Sequence, residues 1–578
     1  MEKWGLLSEQ ARLAFSAAAL GLFNHWVMKR YEPPREKIFH VVFALLVQPA
    51  ILGWVVYKDD PQAFSVPSVI VNGYCAFYLT LATSIVLYRV SPIHPLAKIP
   101  GPVAFRTTKL WRTYICAKGK QQFVLKELHD HYGPIVRTGP NEVSVNDLDS
   151  LKAVLGNLPK GQGYLARKRP GDRVGLFFLE GDEHRQRRKQ WEKGFSQESI
   201  KEYEPMMKRR ANLLAEKLAK LGTGGSQVDM ALWLGYYAFD FMADMVFDGG
   251  SELLENESDY LGHWHLLKSR MAAVEPVTHI PWISSVPFTL EFLSPEAKRF
   301  REMALFWANR RMANGPETRD LWYHLVRNFP SNIQIEPTLN GNVQFEHTDS
   351  DSKPDVREVI GDAVLAIVAG SDTTASAIAS TLWCLAAHPE SYKRLMKELD
   401  EQYPRDSDPL DASRYSNMKY LTACINESLR VLPPVPSSGP RVVPKGTGGT
   451  MISGHFIPEG TQIYVPPYCV HRNPDHFYPR PDDFVPERWL SDDSERVDED
   501  MSRSRIHRAD AFIPFSYGSK NCVGKSVARR EMIVVLVLLL HKFEFRFGDG
   551  FDWRSWPDTQ RDAFVVEPAP LKMTMNLR

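Results

Sequence analysis

Residues 515–524 read FSYGSKNCVG, which places Cys522 between two glycines with a long apolar segment after it. A zinc site needs further cysteine or histidine ligands close by, a disulfide needs a second cysteine, and a nucleophilic thiol needs a base. The chain has six cysteines, which are scattered, with no CxxC pair or Cys/His cluster: Cys75, Cys116, Cys384, Cys424, Cys469 and Cys522. This pattern argues against a disulfide framework and structural zinc, and it indicates a reducing compartment facing the cytosol. Cys522 therefore needs an explanation in which a single thiol is sufficient.

The size and charge of the chain narrow its class. Its 578 residues exceed the about 250–300 that one hydrophobic core usually serves, so we expect several domains or one large domain with appendages. A composition of 44% hydrophobic and 24% charged residues is typical of a folded protein. The formal net charge of +1 argues against a nucleic-acid partner, because phosphate binding requires a basic excess.

Three apolar stretches occur in the first hundred residues, at about 13–28, 38–57 and 66–88. A bilayer core needs roughly 20 apolar residues in a helix, a length that the second and third stretches reach. The first is marginal and contains Asn24 and His25. The alternative for each stretch is a buried helix of a soluble domain. None has the features of a cleavable signal peptide.

Charged loops between these stretches predict their orientation. KRYEPPREK, at 29–37, has a basic excess, whereas KDDPQ, at 58–62, is acidic. Because basic loops stay on the cytosolic side, the residues after Tyr88 should lie in the cytosol, whether two or three helices span the membrane. We therefore expect a membrane anchor at 1–91 and a stiff, extended, proline-rich connector at 92–102. The remaining residues, 103–578, should form the globular body.

The body is predicted to be mostly helical, with short strands at PIVRTG and QIYVP. The polar segment 331–355 is predicted to be a surface insertion, and the proline- and aromatic-rich segment 470–490 an irregular meander. The helices expected from apolar periodicity are Val124–Tyr132, Asp182–Lys193, Ser199–Lys220, Val356–Ala387 and Tyr420–Leu432.

The longest of these helices contains AGSDTT at 369–374, where polar residues interrupt an apolar pattern. Gly370 lowers helix propensity by about 1 kcal/mol relative to alanine, and hydroxyl side chains loosen the hydrogen-bond ladder. One interpretation is a core helix with a satisfied polar patch. The other is a distortion that opens onto a cavity, where Asp372 and Thr373 transfer protons.

A second motif, ESLR, places Glu427 and Arg430 on one face of a helix. Taken alone, this spacing is equally typical of a surface ion pair worth about 0–1 kcal/mol. A further charged pair, Glu487 and Arg488, lies in FVPERW within the predicted meander.

Together these motifs resemble those of the cytochrome P450 family. FSYGSKNCVG is similar to the haem-binding F-x-x-G-x-R-x-C-x-G loop through Phe515, Gly518, Cys522 and Gly524. AGSDTT resembles the oxygen-activating helix motif, ESLR the E-x-x-R motif and FVPERW the P-E-R-F motif, in the family's order. The resemblance covers roughly residues 96–578. It implies a mainly α-helical fold with small β-sheets (α+β), the cytochrome P450 fold, preceded here by N-terminal transmembrane helices.

The resemblance implies that haem b binds with the Cys522 thiolate as axial iron ligand, a ligand that favours O–O cleavage. The alternative is an inert buried cysteine. Three positions depart from the family pattern: Lys520 replaces an arginine, His184 replaces the tryptophan of W-x-x-x-R, and Trp489 replaces the phenylalanine of P-E-R-F.

The propionates of the haem also have candidate partners by resemblance. They are Lys520, His184, Arg188 and, after the E-x-x-R helix, Arg441.

The implied reaction is monooxygenation, in which one oxygen atom enters a C–H bond and the other leaves as water. By resemblance, Thr373 positions dioxygen and water, Asp372 supplies protons and Gly370 makes room for dioxygen. Glu427, Arg430 and Arg488 are expected to form a buried structural network.

The family also implies partners and a location. Electrons should come from NADPH–cytochrome P450 reductase, with cytochrome b5 as a second candidate, at the endoplasmic reticulum membrane with the catalytic domain facing the cytosol. We expect a basic docking patch on the thiolate side of the haem, formed by Arg185, Arg187, Arg188, Lys189, Lys520, Lys525, Arg529 and Arg530.

The substrate should be lipophilic, because a membrane enzyme samples compounds dissolved in lipid. A sterol, a terpenoid or an aromatic hydrocarbon fits this expectation, and the overall pattern resembles fungal members of secondary metabolism or detoxification. Residues 160–178, Ala366 and Ala369 should line the pocket.

Three other functions remain compatible with parts of the pattern. A haem-thiolate isomerase or dehydratase would keep Cys522 but not use dioxygen, which the Asp372–Thr373 pair argues against. A haem-binding protein without turnover would keep the site and lack the reaction. A membrane transporter or scaffold would use the helices, although no paired charge lies within them.

Overall fold

Helices make up most of the chain, and the computed structural model confirms the predicted mainly α architecture with small sheets. It describes residues 9–31, 35–59, 65–167, 175–222, 225–283, 295–315, 318–326, 336–337, 343–344, 356–490 and 505–578. The helices are α1 Glu9–Arg30, α2 Ile38–Asp59, α3 Val66–Val90, α4 Val103–Thr107, α5 Leu110–Ala117, α6 Gln121–Tyr132, α7 Leu148–Asn157, α8 Gly181–Gly194, α9 Gln197–Leu221, α10 Met230–Phe247, α11 Leu253–Asn256, α12 His263–Val274, α13 Pro295–Ala313, α14 Leu321–Val326, α15 Val356–Ala387, α16 Pro389–Gln402, α17 Lys419–Val431, α18 Pro467–Val470, α19 Lys525–Lys542 and α20 Trp556–Thr559.

The strands are short and form small sheets at the edge of the helical body. The largest sheet has the order β1-β2-β9-β6, with β2 and β9 parallel and the other pairs antiparallel. A three-stranded sheet has the order β12-β15-β3, and the remaining strands pair in twos. The strands are β1 Ile135–Gly139, β2 Glu142–Val145, β3 Val228–Asp229, β4 Glu336–Pro337, β5 Val343–Gln344, β6 Arg441–Val442, β7 Thr450–Ile452, β8 His455–Ile457, β9 Gln462–Tyr464, β10 Phe477–Tyr478, β11 Ile506–His507, β12 Phe543–Phe547, β13 Arg561–Ala563, β14 Val565–Glu567 and β15 Lys572–Leu577.

The three apolar N-terminal stretches are helices, as predicted. Of the described helices, three are long and apolar enough to cross a membrane: Ile38–Lys58, Val66–Val90 and Glu358–Ala387. The third is largely buried in the body, so only α2 and α3 fit a membrane anchor by this criterion.

Polar side chains of α1 are satisfied by its two neighbours. Asn24 donates to the side chain of Gln48 in α2 at 2.6 Å, and His25 Nδ1 lies 2.6 Å from Ser84 Oγ in α3. Such interhelical hydrogen bonds give polar groups partners that an apolar environment cannot supply. The packing therefore explains how the marginal first stretch is held against α2 and α3.

The proline-rich connector is a series of turns and not the extended segment that the sequence predicts. Backbone N–H groups of His94, Ala97 and Ile99 donate to carbonyls three residues earlier, a geometry that proline's restricted φ also allows. Burial, with the Arg137 guanidinium 3.3 Å away, lowers the pKa of His94 to about 4. The connector is thus packed onto β1 and holds the anchor close to the body.

The long helix α15 runs through the centre of the body, where it packs extensively against α10 and also against α17 and α19. The predicted helix at 356–387 has these bounds, and the other predicted helices occur within three residues of their expected ends. The sequence pattern does not predict α10, because this helix is mostly apolar and buried nearly all round, including Asp240 and Asp244, and so has no amphipathic period.

The other expectations for the body have mixed outcomes. The segments PIVRTG and QIYVP contain β1 and β9, as predicted. The meander at 470–490 is confirmed, with only the short strand β10 and a 3₁₀ segment at Pro486–Trp489. The predicted insertion at 331–355 lies outside the described residues except for the paired strands β4 and β5.

A buried charge network joins α17 to the meander. Glu427 Oε1 lies 2.8 Å from both Arg430 Nη2 and Arg488 Nε, and all three side chains are fully buried. Arg430 Nη1 donates to the His471 carbonyl at 2.8 Å, and the His471 ring accepts from the backbone N–H of Ile513, shortly before Cys522. The surface-pair interpretation of the E-x-x-R motif is therefore wrong.

The network keeps its carboxylate ionised. Burial alone would raise the pKa of Glu427, but Arg430 and Arg488 outweigh it and hold the pKa at about 2. The Trp489 indole N–H also donates to Glu427 Oε2 at 2.8 Å, so the tryptophan that replaces the usual phenylalanine gains a partner.

We expect Glu427→Gln to lower the free energy of unfolding by about 3–5 kcal/mol, because it leaves two buried guanidiniums without a counter-charge. Urea denaturation followed by circular dichroism measures this change. Glu401→Gln, which affects an exposed pair with Lys397 at 4.0 Å, is the matched control and should cost about 0–1 kcal/mol. Equal losses in both variants would contradict a buried network.

Candidate active site

A cavity of about 1310 Å³ lies between α15, α8, the loop at 515–524 and the start of α19. Most of the residues that the sequence predicts for the site line this cavity: Gly370, Thr373, Cys522, Phe515, Lys520, Gly524, Arg188, His184 and Arg441. Ala366, Ala369, Lys160 and Phe178 of the predicted pocket also line it, whereas the pocket residues 168–174 lie outside the described residues. Asp372 and Gly518 are not among the lining residues, and neither is the network of Glu427, Arg430 and Arg488.

The loop around Cys522 is held by its own backbone. The Cys522 N–H donates to the Phe515 carbonyl at 2.8 Å, which closes the loop. Gly518 has φ +77°, and a Cβ there would meet the Gly156 Cα at 3.0 Å, so only glycine fits without strain. The glycine of the motif thus sets the loop against α7 without itself facing the cavity.

Opposing influences act on the thiol. The Cys522 side chain is exposed to the cavity, and enclosure of the cavity by protein raises the pKa of its thiol. The N–H groups of Gly524 and Lys525 and the charge of Arg188 act in the opposite direction. These N–H groups belong to the first turn of α19, where unpaired donors favour an anion. The surroundings of Cys522 therefore favour the thiolate once a bound cation offsets the effect of enclosure.

The AGSDTT segment is α-helical throughout, within α15, and its residues Gly370, Thr373 and Thr374 line the cavity. The Thr373 hydroxyl faces the cavity and donates to the Ala369 carbonyl at 2.7 Å, the i−4 bond expected of a helical threonine. Burial raises the pKa of Asp372, while the charge of Lys268 opposes this shift. The acid is thus held in a form that carries a proton more readily than an exposed carboxylate.

Gly370 has a packing role that the sequence did not reveal. A Cβ at this position would lie 2.4 Å from Met242 Sδ, because α10 approaches α15 closely here. The same helix contains Gly361, where a Cβ would meet nothing within 4 Å. Helix α15 therefore has room for a Cβ at Gly361 but not at Gly370.

Basic side chains gather at one end of the cavity. Arg188 donates to the backbone carbonyl and the side chain of Asn521 at 2.6 and 2.8 Å, so it clamps the cysteine loop. Lys520 Nζ lies 2.6 Å from Glu180 Oε2. Arg441 is buried, and its Nε and Nη1 have no acceptor among the described residues.

Lys160 belongs to this group, although the sequence analysis assigned it only to the substrate pocket. Its ammonium donates to the Phe177 carbonyl at 2.8 Å, and burial lowers its pKa to about 7, helped by Arg441 and Lys520. Burial also lowers the pKa of His184 to about 4, so this imidazole is neutral at physiological pH. The basic run in KGQGYLARKR was the sequence signal for Lys160, but only its bridge to Arg441 brings it to this end.

Only part of the predicted docking patch lies at the surface: Arg187 is buried, Arg188 and Lys520 line the cavity, and Arg529 and Arg530 are half-buried. Arg187 is buried and lies 2.5 Å from Asp362, which also accepts from the Trp191 indole. It therefore joins α8 to α15 and cannot form part of a surface. Arg185, Lys189 and Lys525 are exposed, as a docking patch requires.

Residues 99–575 match the family described as cytochrome P450, and the chain belongs to this family. The chain is similar to several fungal proteins of this family. Cytochrome P450 monooxygenase cpaH of Aspergillus oryzae is 32% identical over 502 residues, covering 84% of this chain and 90% of the relative. Trichothecene C-15 hydroxylase of Fusarium sporotrichioides is 29% identical, covering 85% and 94%. Tryprostatin B 6-hydroxylase of Aspergillus fumigatus is 27% identical, covering 95% and 94%.

Membership in the family makes the chain a cytochrome P450 monooxygenase, an oxidoreductase that uses dioxygen and a redox partner to oxidise a small molecule. The names of the relatives fit this class and not an isomerase, a dehydratase or a transporter. The family's cofactor is a haem bound through a thiolate.

We expect Gly370→Ala to destabilise the protein by about 1–3 kcal/mol, because the new methyl group forces Met242 out of a packed position. Thermal unfolding of the full chain measures this effect. Gly361→Ala is the matched control, and it should be neutral or stabilise by up to about 1 kcal/mol, since alanine is the better helix former. In a protein that already carries Met242→Ala, adding Gly370→Ala should lower the stability by less than it does in the wild type. Identical behaviour of the two glycine variants would show that the contact with Met242 is unimportant.

Proposed function

We propose that this chain hydroxylates a lipophilic secondary metabolite, with haem b in the described cavity and the Cys522 thiolate as its axial ligand. The observation that carries the proposal is the common cavity, which brings Cys522, Thr373 and Arg441 together from three distant parts of the sequence. Electrons from NADPH would reach the site through NADPH–cytochrome P450 reductase, with cytochrome b5 as a second donor.

The residues of the cavity fit haem b. The group needs one axial ligand and has two carboxylates, and the cavity offers a single thiol together with a cluster of cations. Arg441 has two buried N–H-bearing atoms that lack acceptors among the residues that the structure describes, so an added carboxylate would satisfy them. Neutral His184 can donate one ring N–H. We assign Arg441, His184, Arg188, Lys520 and, in addition, Lys160 to the propionates.

When bound, the haem would supply an iron whose thiolate ligand favours O–O cleavage. The protein's part begins with the thiolate. Backbone N–H groups at Gly524 and Lys525 favour its charge, and such hydrogen bonds tune the redox potential. The Phe515 carbonyl accepts from the Cys522 N–H, and Gly518 allows the turn that brings the loop against α7.

Proton transfer is assigned to α15. The Thr373 hydroxyl donates to Ala369, which leaves its oxygen lone pairs free to hold a water in the cavity. Asp372, whose pKa is raised by burial, acts as the acid that renews the proton on this water. Since Asp372 does not itself line the cavity, its proton would move through Thr373 and water. Gly370 keeps the wall beside Thr373 free of a side chain.

Glu427, Arg430 and Arg488 are assigned a structural role. Their hydrogen bonds run through His471 to the backbone at Ile513, just before the cysteine loop. The network would therefore keep the loop in place when haem enters.

The domain arrangement follows the same reasoning. Residues 1–91 form an anchor with two or three transmembrane helices, 92–102 a connector and 103–578 the catalytic domain. The basic loop after α1 supports a cytosolic orientation at the endoplasmic reticulum. The exposed side chains of Arg185, Lys189 and Lys525 support an acidic docking partner on the cysteine side.

The substrate class is inferred from the relatives and the cavity. Two relatives are named for hydroxylating a trichothecene and tryprostatin B. The cavity wall contains many aromatic and aliphatic side chains. A terpenoid, a sterol or an aromatic polycycle fits such a wall, and a role in secondary metabolism fits the relatives better than detoxification.

We expect Cys522→Ser to lose the red-shifted Soret band that a thiolate-bound haem gives with carbon monoxide after reduction. A difference spectrum of the full-length protein in detergent measures it. Cys75→Ser, an exposed cysteine outside the cavity, is the control and should keep the band. An unchanged band in Cys522→Ser would overturn the proposed cofactor site.

We expect Thr373→Ala to consume NADPH with little product and to release peroxide, because water is no longer held where protons are delivered. The ratio of product to NADPH, measured with reductase and an accepted substrate, reports this uncoupling. Ser371→Ala is the matched control, since Ser371 makes the same i−4 hydrogen bond but is not among the cavity-lining residues. Equal coupling in both variants would remove Thr373 from the proton path.

A further inference from the structure

Arg167 is a buried cation on the cavity wall, at the end of the 3₁₀ segment Gln162–Arg167. Its side chain is only 8% exposed. The guanidinium carbon lies 4.3 Å from the centre of the Phe564 ring and within 6 Å of the Tyr164 and Phe177 rings. Aromatic faces stabilise a cation but offer no lone pair to its N–H groups.

The guanidinium has fewer acceptors than it can use. Arg167 Nη2 donates to Glu275 Oε2, whereas Nε and Nη1 have no acceptor within the described part of the chain. The neighbouring Arg112 also has one nitrogen, Nη2, without an acceptor there. Buried groups of this kind are rarely left without a partner, because each costs free energy.

Glu275, the counter-ion of Arg167, is a weaker acid here than an exposed glutamate. Glu275 is fully buried, and burial raises its pKa to about 7, against the charge of Arg167. Burial therefore makes Glu275 a weaker counter-ion for Arg167 than an exposed carboxylate would be. The nearby Asp562 carboxyl also has a raised pKa through burial and accepts from Ser437 and the backbone N–H of Phe564.

The cluster favours an anion over a cation. Cys116, Glu275 and His279 have donor atoms within 4.8 Å of one another, a spacing compatible with a metal. A metal ion there would face the guanidiniums of both Arg112 and Arg167. The His279 ring nitrogens lie 3.0 Å from Gln121 Oε1 and 3.4 Å from the Tyr464 hydroxyl, so both already have partners.

The charges of the cavity wall agree with this preference. Basic side chains predominate over acidic ones on the wall, even apart from those assigned to the propionates. The remaining lining cations are Arg167, Arg270, Lys298 and Arg301, and the lining carboxylates are Glu302 and Glu531.

We propose that Arg167 recognises an acidic oxygen of the substrate, a carboxylate or an enolate, while Phe564, Tyr164 and Phe177 hold the adjoining apolar scaffold. This inference rests on the proposed function, because it concerns the substrate of the same cavity. It narrows the substrate from any lipophilic compound to a lipophilic acid. Glu275 is the internal counter-ion that the substrate's charge displaces or joins.

The test uses probes with a fixed anchor. A 1-imidazolyl alkanoic acid binds haem iron through its imidazole and carries a carboxylate at the far end of its chain. The matched probe is the imidazolyl alcohol of the same chain length. Dissociation constants come from the Soret shift of the full-length haem protein, over a series of chain lengths.

The wild-type protein should bind the acid about tenfold or more tightly than the alcohol at one or more chain lengths, as a charge-assisted hydrogen bond to a buried guanidinium predicts. Arg167→Gln should reduce this preference to about threefold or less. Glu275→Gln should increase it, because the internal competitor for Arg167 is then neutral. Arg561→Gln, which removes a cation outside the cavity that pairs with Glu567, should leave the preference unchanged.

Because Arg167→Gln leaves a buried carboxylate alone, the double variant Arg167→Gln/Glu275→Gln provides a neutral pair that folds more readily. It should bind acid and alcohol about equally.

Three outcomes would overturn the inference: no acid preference in the wild type, a preference that survives in the double variant, or a preference that Glu275→Gln lowers. Failure of the proposed function is separately visible, since plain imidazole would then give no Soret shift in the wild type.

Discussion

The buried carboxylate of Glu427 is the interaction on which the rest of the site depends. It binds Arg430 of its own helix and Arg488 of the meander, and Arg430 in turn holds the His471 carbonyl. His471 then accepts from the backbone just before the cysteine loop. A single ion, fully removed from solvent, thus connects α17, the meander and the loop that presents Cys522. Regular secondary structure is sparse in this region, so buried ion pairs hold these segments together where helix packing does so elsewhere.

Charged side chains lie in two separate regions of the cavity wall. At one end, cations gather around the cysteine loop, where two carboxylates of a haem would balance them. Near the 3₁₀ segment that ends at Arg167, a guanidinium is shielded by aromatic rings and has only a weakly acidic partner. The walls also include aromatic and aliphatic side chains. An oriented substrate needs both an apolar scaffold and a polar group to fix its direction, and this arrangement offers both.

Much of the architecture could be predicted because its signals are local. Amphipathic spacing predicts α6, α8, α9 and α17 closely, and the motif around Cys522 predicts the loop that carries the thiol. The failures have a common cause. The buried α10 has no amphipathic period to detect, and the prolines of 92–102 permit turns as well as extension. Arg187 gives no local sign that it will be buried against Asp362, 175 residues away.

The sequence by itself determined the family, the lone thiol and the order of its motifs, because each depends on residues close together in the chain. Only the tertiary structure decided that Thr373 faces the cavity while Asp372 does not line it, that Gly370 accommodates Met242, and that Arg167 meets Glu275 from 108 residues away. Such contacts arise when helices and loops pack in three dimensions. Their energies depend on burial and on neighbouring charges, which no short stretch of sequence specifies.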